Sequence, residues 1–458
     1  MVVKEEKLNI LINQFKKWGL FANVIGQVIS KREVIISQKN QIVAQIPTSA
    51  LSDETPINIH SVIKEPPNYL LKKWEWSEDQ LPSISDNKIL SLQDDKKYSL
   101  SEIILKLLAN PSIASKSWVY RQYDSQVQSN TVFKPGEADA ALIRLRGQDE
   151  KNKSNIFSGV AASVDCNSRW VLLDPYRGSI AAVAESARNV SCVGAEPIAI
   201  TNNLNFSSPD TEIGYWQLSS ACDGISKACI ELETPVTGGN VSLYNESKNQ
   251  NNELTPINPT PVIGMVGTIK NVNKAISSGW KNINDQIWII GSNSSESSIG
   301  ASSYLEYFHG LVTGRPPEIN LKDEKYCQRF LRDAISKNYI ASSHDVSDGG
   351  LAVALSECCI LSSKGANIHL EGNKTRKDSI LFSEGGSRII FSLHKKEELN
   401  FLKLIKINTE MFGENVYVKK IGFVSEQNLD ITLQEKTICN LRVEELTEKF
   451  NNSISSYF

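Results

Sequence analysis

Residues 179–191 read Ser-Ile-Ala-Ala-Val-Ala-Glu-Ser-Ala-Arg-Asn-Val-Ser, a run of small and helix-forming residues with a few polar side chains among them. The alanines predict a helix that packs tightly against a sheet, because small side chains allow a close approach. Apolar, β-rich runs lie on either side at 160–164 and 197–200, and a second helical pattern follows at 215–232. This alternation predicts a mixed α/β (α+β) fold.

A second α/β region follows a polar stretch at 271–284. It opens with the apolar run Gln286–Gly291, which predicts a strand. Residues 64–97 are polar and broken by prolines, which is typical of an exposed linker. Trp74 and Trp76 are expected to fasten this linker to the rest of the protein. We therefore expect a linker and two domains, at 63–98, 99–278 and 279–458.

A pattern near the start of the chain recurs near its end. Ile-Gly-Gln-Val-Ile-Ser at 25–30 is similar to Ile-Gly-Phe-Val-Ser at 421–425, and a Glu-Glu pair and an amphipathic stretch precede both. A short strand pattern and a polar turn follow both copies. The repeat indicates a shared fold unit. Since some 60 residues make a thin core, residues 1–62 are expected to be the tail of a domain whose first part is absent.

The composition excludes several classes of protein. The 458 residues contain 49 Lys and Arg against 52 Asp and Glu, a formal net charge of −3, and 40% are hydrophobic. This balance argues against an electrostatic grip on nucleic acid or membrane lipid. No apolar run approaches the roughly 20 residues that cross a bilayer, and residues 1–7 carry acids, so no signal peptide is expected. We expect a soluble, cytoplasmic protein.

Cysteine and histidine spacing gives no sign of a zinc site. None of the eight cysteines forms a CxxC pair, and the five histidines show no HxxH or HExxH spacing. Ordinary reduced thiols in the protein core are the favoured interpretation, against a metal site or a disulfide framework.

The first candidate for chemistry lies in the helix quoted above. Glu185 and Asn189 are four residues apart and therefore neighbours on one helix face. Carboxylate and amide oxygens suit Mg²⁺ that is held together with substrate phosphates. A solvated polar pair is the alternative.

Two glycine-containing stretches are further candidates. Thr-Gly-Gly-Asn-Val-Ser at 237–242 would bring backbone N–H groups close to an anion at a strand end, or would be an ordinary turn. Ser-His-Asp-Val-Ser-Asp-Gly-Gly-Leu at 343–351 predicts an acidic loop before a helix, where metal-bound phosphate is favoured. Asp345 and Asp348 are its possible metal ligands, and Asp348 is equally a candidate N-cap.

The remaining signals are weaker. Leu-Phe-Ser-Glu-Gly-Gly-Ser-Arg at 381–388 favours a plain turn, and Asp139, ahead of a strand, carries little by itself. The chain has no Walker P-loop and no GxSxG elbow. Acids, Asn and glycine turns together indicate metal-assisted nucleotide binding and phosphoryl chemistry in a fold without a P-loop.

Several long stretches carry a family resemblance over essentially the whole chain. They are Asn-Pro-Ser-Ile-Ala-Ser-Lys at 110–116, Trp-Val-Tyr-Arg-Gln-Tyr-Asp at 118–124, Leu-Asp-Pro-Tyr at 173–176, Gly-Ala-Glu-Pro at 194–197, Gly-Asn-Val-Ser-Leu-Tyr-Asn at 239–245 and His-Asp-Val-Ser-Asp-Gly-Gly at 344–350. In this order they resemble phosphoribosylformylglycinamidine synthase, of the aminoimidazole ribonucleotide synthetase-like ATP-binding superfamily.

The resemblance implies a tandem duplication, in which each ATP-binding domain is followed by a C-terminal α/β domain. Residues 1–62 would be the tail of the first copy, and about 100–458 the whole second copy. The family's catalytic histidine and main ATP-binding lysine belong to the absent first copy, so no residue here inherits a catalytic role. The substrate loop Glu-Ser-Gln of the family also belongs to that copy, so no substrate contact is carried to Glu384.

Other roles carry over residue by residue. The resemblance implies magnesium ligands at Asp139, Glu185, Asn189, Asn240 and Asp345. It implies nucleotide contacts at Gly239 and Ser347 and a substrate contact at Ser242. Asn202 lies where many relatives have an Asp that contacts ATP, so a negatively charged role there is weakened.

The implied activity is a ligase of purine biosynthesis that uses ATP and Mg²⁺. It would convert formylglycinamide ribonucleotide to the amidine with ammonia from a glutaminase subunit, in a complex with a small accessory subunit and the missing N-terminal half. The alternatives are a non-catalytic nucleotide-binding module and another enzyme of the superfamily, similar to selenophosphate synthetase or thiamine-phosphate kinase. A catalytic Cys or Lys in a glycine-rich N-terminal loop would favour the last, and none is visible.

Overall fold

The computed structural model describes residues 1–57, 59–63, 65–146, 157–292, 299–372, 376–412 and 416–458. Lys64, within the expected linker, lies outside the described residues. The chain forms two compact units, Met1–Ser61 and Val62–Phe458. No helix in these described ranges has the length and apolar character needed to span a membrane.

The helices and strands are numbered in chain order. The α-helices are α1 Leu8–Lys17, α2 Asn68–Trp74, α3 Leu100–Leu108, α4 Ser117–Tyr120, α5 Ser168–Leu173, α6 Pro175–Cys192, α7 Glu212–Leu232, α8 Ser303–His309, α9 Leu321–Ser336, α10 Gly350–Ser362, α11 Lys377–Phe382, α12 Glu398–Phe412 and α13 Val443–Asn452. The strands are β1 Glu33–Gln38, β2 Gln41–Pro47, β3 Lys88–Leu90, β4 Lys97–Ser99, β5 Ala141–Arg144, β6 Gly159–Asp165, β7 Glu196–Asn205, β8 Val236–Ser242, β9 Glu246–Lys248, β10 Leu254–Pro256, β11 Thr260–Ile269, β12 Gln286–Ser292, β13 Ser342–Asp345, β14 Gly365–Leu370, β15 Ile389–Leu393, β16 Val416–Ser425, β17 Asn428–Leu433 and β18 Lys436–Arg442.

The small unit consists of α1 and the antiparallel hairpin β1–β2. Its two-residue turn has both residues at positive φ, 47° for Lys39 and 63° for Asn40. The β17–β18 hairpin has the same kind of turn, with Gln434 at 49° and Glu435 at 63°. None of the described residues in this unit is buried. The two copies differ at their Ile-Gly stretches, since residues 25–30 form no strand whereas 421–425 belong to β16.

A five-stranded sheet in the order β5-β6-β11-β7-β8 forms the first layer of the large unit. The buried helix α6 packs on β6 and β11, and α7 packs beside α6. Asp174 caps α6 by accepting a hydrogen bond from Arg177 N, and Pro175 occupies its first turn. The predicted strands at 160–164 and 197–200 and the predicted helices at 179–191 and 215–232 are confirmed.

The opposite face of this sheet carries apolar side chains in contact with solvent. Residues that pair across neighbouring strands share a face, and successive residues alternate between faces. On the uncovered face Ile143 is 50% exposed, Val164 71% and Val266 37%. Exposed apolar patches of this kind are typical of interaction surfaces.

The expectation that residues 237–242 lie at a strand end or form a turn is wrong. They lie within β8, which pairs in parallel with β7 at the sheet edge. Gly239 pairs with Asn202, and a Cβ atom at Gly239 would collide with both the side chain and the backbone of Asn202. The glycine therefore serves the close approach of two strands.

A seven-stranded sheet in the order β13-β15-β12-β16-β14-β17-β18 forms the second layer. The predicted strand at 286–291 is its β12, and both of its faces are buried. Ile287 and Ile289 pack into a core shared with α3 and α10, whereas Trp288 and Ile290 pack against α9 and α12. Burial on both faces explains why the strand is a continuous apolar run and not an alternating one.

The two tryptophans of the linker fasten it to the rest of the large unit, as predicted. Trp74 Nε1 donates to Leu173 O at 2.7 Å, and the Arg315 guanidinium lies 4.0 Å from the Trp74 ring centroid. Trp76 packs against the core beneath the second sheet. All eight cysteines are free thiols, and six of them are buried as the interpretation of reduced core thiols predicts, whereas Cys166 is half-buried and Cys222 is exposed.

Candidate functional site

Several acids meet where the two sheets of the large unit face each other across α6. Asp165 ends β6, and Asp345 ends β13. Glu185 and Asn189 lie on α6, which contacts both strands. Asp139, just ahead of β5, accepts a hydrogen bond from Asp345 N at 2.9 Å. The fold thus gathers residues that are up to 206 positions apart in the chain.

Asp139 is held by donors from three directions. His344 Nδ1 lies 2.7 Å from its Oδ1, and Ser278 Oγ donates to the same oxygen at 2.6 Å. Burial opposes ionisation, but the charge of His344 and these hydrogen bonds keep the pKa of Asp139 below its ordinary value. The pKa of His344 is raised well above its usual value, because attraction to Asp139 outweighs burial. Nδ1/Nε2 and carboxylate atoms of Asp139, His344 and Asp345 lie within 4.8 Å of one another.

The other carboxylates are crowded and poorly neutralised. Burial, with repulsion from Asp139 next, raises the pKa of Asp345 to about 7. Burial likewise raises the pKa of Asp165 to about 7. The pKa of Glu185 is raised well above its ordinary value by burial and by repulsion from Asp165 and Asp345. The cluster therefore has an excess of negative charge that a cation would relieve.

Two buried oxygens beside these acids accept no hydrogen bond. Asn189 Nδ2 donates to Asp165 Oδ1 at 2.9 Å, but Asn189 Oδ1 and Asp165 Oδ2 have no partner among the described residues. Asn189 is only 8% exposed, so such an oxygen is costly without a ligand. Carboxylate and amide oxygens are the ligands that Mg²⁺ prefers, and the residues present therefore fit this ion.

One cation, Arg188, was not singled out by sequence reasoning. Its Nε and Nη2 donate to Glu324 on α9 at 3.0 and 3.1 Å, and its Nη1 lies 3.5 Å from Asp345 Oδ2. Arg188 thus holds Asp345 in place from the side of α6. Asp165 was missed as well. The only available signals were an Asp at the end of a strand and an Arg three residues after Glu185, and both patterns are common.

In the acidic glycine loop before α10, Asp348 is not the N-cap of the helix. The N-cap residue is Gly349, at φ 80°, and no side chain caps the helix. Asp348 instead accepts from Asn167 Nδ2 at 2.9 Å. Ser347 lines a small cleft together with Glu185, apart from the side of the cluster where Asn189 and Asp345 lie. Of the predicted magnesium ligands, Glu185 therefore lines one cleft, whereas Asp139, Asn189 and Asp345 line its neighbour.

The Glu384 side chain has a structural role, because it joins three segments of the chain. Glu384 Oε1 accepts from Ser303 N at 2.7 Å and from Gly349 N at 2.8 Å, and its Oε2 lies 3.2 Å from Arg169 Nη2. With its oxygens bound in this way, Glu384 ties the loop before α10 to α5 and α8. The plain turn that the sequence favoured is thus anchored by a buried carboxylate.

The remaining predicted site residues lie on β7 and β8 and divide between the two faces of the sheet. Asn202 and Gly239 pair in one row with Ile263 and Asp165. At about 4.8 Å between strands, Gly239 is about 14 Å from Asp165 along this row. Asn240 and Ser242, at alternate positions of β8, belong to the uncovered face. This second group is not in contact with the acidic cluster.

Two family models match the chain in the order expected. The model for the AIR synthase related protein, N-terminal domain, matches residues 137–269, and that for the C-terminal domain matches residues 282–428. The chain belongs to the AIR synthase related protein family. The fold implied by the sequence resemblance, an ATP-binding-type domain followed by its C-terminal α/β domain, is confirmed.

The chain is highly similar to synthase subunits from Prochlorococcus marinus. It is 85% identical over 458 residues to phosphoribosylformylglycinamidine synthase subunit PurL of Prochlorococcus marinus subsp. pastoris, covering 100% of this chain and 59% of that protein. PurL of Prochlorococcus marinus strain MIT 9312 is 73% identical over 460 residues, with the same coverage. The chain therefore spans 59% of the length of these relatives.

Solved structures share the fold at low identity. Thermotoga maritima PurL complexed with ADP is 20% identical, with a TM-score of 0.54, over 93% of this chain and 55% of that one. The structure of PurLQS from Thermotoga maritima is 17% identical, with a TM-score of 0.51, over 64% of this chain and 45% of that one. At these identities the likeness concerns the fold alone.

Proposed function

We propose that this chain is the later part of the synthetase subunit of phosphoribosylformylglycinamidine synthase, a cytoplasmic C–N ligase of purine biosynthesis. The observation that carries the proposal is 85% identity over all 458 residues to a PurL subunit. The reaction transfers the γ-phosphoryl group of ATP to the amide oxygen of formylglycinamide ribonucleotide. Ammonia from glutamine then displaces that oxygen as phosphate, giving the amidine, ADP and phosphate.

In this proposal Asp139, Asn189 and Asp345, with Asp165 and Glu185, hold magnesium. The metal, when bound, neutralises negative charge on the phosphate groups. Arg188 orients Asp345 from α6, and His344 with Ser278 orients Asp139. The orphaned oxygen of Asn189 and the raised pKa values of the neighbouring acids support this assignment.

The β7–β8 residues belong to a second nucleotide region. Asn202 and Gly239 would contact nucleotide, with Asn202 contributing a neutral amide in place of a carboxylate. Asn240 would bind magnesium and Ser242 the substrate, both from the uncovered face of the sheet. Ser347 would contact the nucleotide held at the acidic cluster. Because Asn240 and Ser242 face away from this chain's own helices, their ligands would lie between this sheet and a partner.

The partner proposed for the uncovered sheet face is the preceding half of the same subunit. The chain spans 59% of its relatives, and the small unit exposes apolar side chains such as Ile25, at 100%, and Phe21, at 91%. The repeated hairpin turn supports a tandem copy. A glutaminase subunit and a small accessory subunit complete the proposed complex, for which the PurLQS structure of Thermotoga maritima is the precedent.

A charge on the uncovered face should block this association. Val266 lies on the central strand β11 and is 37% exposed, so Val266→Asp would leave a carboxylate without a partner in a closed interface. We expect at least about tenfold weaker binding to a separately produced first half, measured by calorimetry. The matched control is Ile230→Asp on α7, which is 73% exposed and should bind normally. Equal binding by both variants would contradict the proposed surface.

The function itself is tested by reconstitution. The purified chain is assayed for ADP release with formylglycinamide ribonucleotide, ATP, Mg²⁺ and an ammonia source. It is then assayed again with the first half of the subunit, the glutaminase and the small subunit added. We expect no turnover by the chain alone and amidine formation in the reconstituted mixture. Turnover by the chain alone would contradict the proposed division of labour, and nucleotide binding without any turnover would favour a non-catalytic nucleotide-binding module.

A further inference from the structure

A cleft of about 380 Å³ lies between the start of α6, the later half of α7 and the start of α9. None of the residues that we propose to bind magnesium, nucleotide or substrate lines this cleft. Four separate segments each contribute one basic side chain to it, namely Arg177 of α6, Lys227 of α7, Arg315 of the loop before α9 and Lys322 of α9. The fold thus gathers positive charge that is scattered along the sequence.

The acids that line the cleft balance only part of this charge. Glu318 Oε2 lies 2.8 Å from Arg177 Nη2 and neutralises that guanidinium group. Glu231 on α7 is the other carboxylate of the lining. Four basic and two acidic side chains leave the lining with a net charge of +2.

The two arginines share one buried carboxylate. Asp174 Oδ2 accepts a hydrogen bond from Arg315 Nε at 2.8 Å and lies 3.9 Å from Arg177 Nε. Burial, with repulsion from Arg315 next, lowers the pKa of Arg177. The Arg315 guanidinium also stacks on the Trp74 ring, with 4.0 Å to the ring centroid, which fixes its plane.

The outer nitrogens of Arg315 remain available to a ligand. Within the described ranges its hydrogen bond and its ion pair both run through Nε, and neither Nη group has a partner. A guanidinium group that is fixed in this way can donate two parallel hydrogen bonds to one oxyanion.

The two lysines of the lining are uncommitted as well. Lys227 and Lys322 are exposed, and neither ammonium group contacts a carboxylate or a carbonyl oxygen in the described part of the chain. An ammonium group has three rotatable donors, so it can follow an anion whose position other residues fix.

The size and charge of the cleft define its ligand. Its volume lies in the lower part of the range for small-molecule sites, roughly 300–1,000 Å³. A phosphate group carries up to two negative charges, which match the net charge of the lining, and buried Ile180 and Leu321 supply an apolar wall for a short organic part. We propose that the cleft binds a small phosphate monoester, with Arg315 donating two hydrogen bonds to the phosphate and Lys227 and Lys322 matching its remaining charge.

Calorimetry on the whole chain, at low ionic strength and without Mg²⁺, tests the inference with four ligands: inorganic phosphate, ribose 5-phosphate, ribose and hexaglutamate. We expect both phosphates to bind and ribose not to bind, because the phosphate group supplies the recognised charge. Hexaglutamate stands for an acidic segment of a protein partner. It should bind more weakly than ribose 5-phosphate, since a peptide of this length exceeds the cleft.

Three variants locate the binding. In Arg315→Gln, affinity for both phosphates should fall about tenfold or more, as expected for lost charge-assisted hydrogen bonds. Lys227→Met and Lys322→Met should each lower it about threefold, the size of an exposed ion pair. Both lysine side chains lack partners in the described ranges, so their loss should leave the fold intact even if Arg315→Gln loosens the linker.

Arg329→Gln is the matched control. Arg329 is an exposed arginine of α9 that repels a neighbouring arginine, Arg332, as Arg315 repels Arg177, but it does not line the cleft. Its affinity for ribose 5-phosphate should equal that of the wild type.

Two results would overturn the inference and leave the proposed function standing, since the two involve different residues. One is a wild-type chain that binds neither phosphate, or that binds them no better than all three cleft variants do. The other is tighter binding of hexaglutamate than of ribose 5-phosphate, weakened in the same variants, which would assign the cleft to an acidic peptide.

Discussion

Asp345→Ala is expected to abolish the magnesium-dependent part of nucleotide binding, with a loss of affinity of at least about a hundredfold. Removing a residue that only supports a metal ligand already costs about 10–100-fold, so removing a proposed ligand should cost more. Asp345→Ala also removes the carboxylate that lies 3.5 Å from Arg188 Nη1, whereas the backbone N–H at this position still donates to Asp139 Oδ2.

The measurement is ADP titration by calorimetry with and without Mg²⁺. Asp333→Ala, which removes a carboxylate of α9 that pairs with Lys337 at the surface, is the matched control and should bind as the wild type does. Wild-type magnesium dependence in the Asp345→Ala chain would contradict the assignment.

An unfolding measurement on Asp345→Ala shows whether the variant loses binding because it no longer folds. The pKa of Asp345 is raised to about 7 in the folded chain, above the ordinary value for an unfolded Asp. A carboxyl group with this shift disfavours the folded state once the pH exceeds its ordinary pKa, and the penalty is complete above pH 7. At pH 8 and without metal, Asp345→Ala should therefore unfold no more easily than the wild type.

Arg188→Leu is expected to lower the free energy of unfolding by about 3–5 kcal/mol, because removing one partner of a buried ion pair leaves the other charge uncompensated. The Glu324 side chain is 0% exposed and receives two hydrogen bonds from Arg188. Asp345 would lose its nearest cation at the same time. Arg188→Leu acts at the contact between α6, which packs on the first sheet, and α9, which packs on the second.

Urea unfolding of the metal-free chain measures this loss. The double variant Arg188→Leu with Glu324→Leu should recover a large part of it, since no buried charge is then left on α9. Lys337→Leu, which breaks an exposed pair with Asp333, should cost less than about 1 kcal/mol. A loss for Arg188→Leu as small as that for Lys337→Leu would show that water compensates Glu324.

Local patterns were sufficient for the elements around the site. The alanine-rich run at 179–191 became α6, and the apolar run at 286–291 became β12, because each pattern matches the period and burial of its element. The glycines at 238 and 239 were misjudged. Glycine is common in turns, and only the pairing of β8 with β7 shows that it is needed for a close approach within a sheet.

The site was predicted in part. Glu185, Asn189 and Asp345 were candidates from their spacing and neighbours, whereas Asp139 carried little by itself and Asp165 was missed. Neither of these two lies in a distinctive local pattern. Their importance arises from contacts with Asp345 and Asn189, which are far away in the sequence.

By itself, the sequence determined most element types around the site, the two α/β domains of the family and the polar residues available for chemistry, because periodicity and composition are local properties. Only the tertiary structure decided which acids share a cluster and that Arg188 supports Asp345. Only it decided that Asn240 and Ser242 face away from Asn202 and Gly239. The β7–β8 register, which pairs residues 37 positions apart, settles the last point, and the acidic cluster depends on contacts between residues 157 and 206 positions apart.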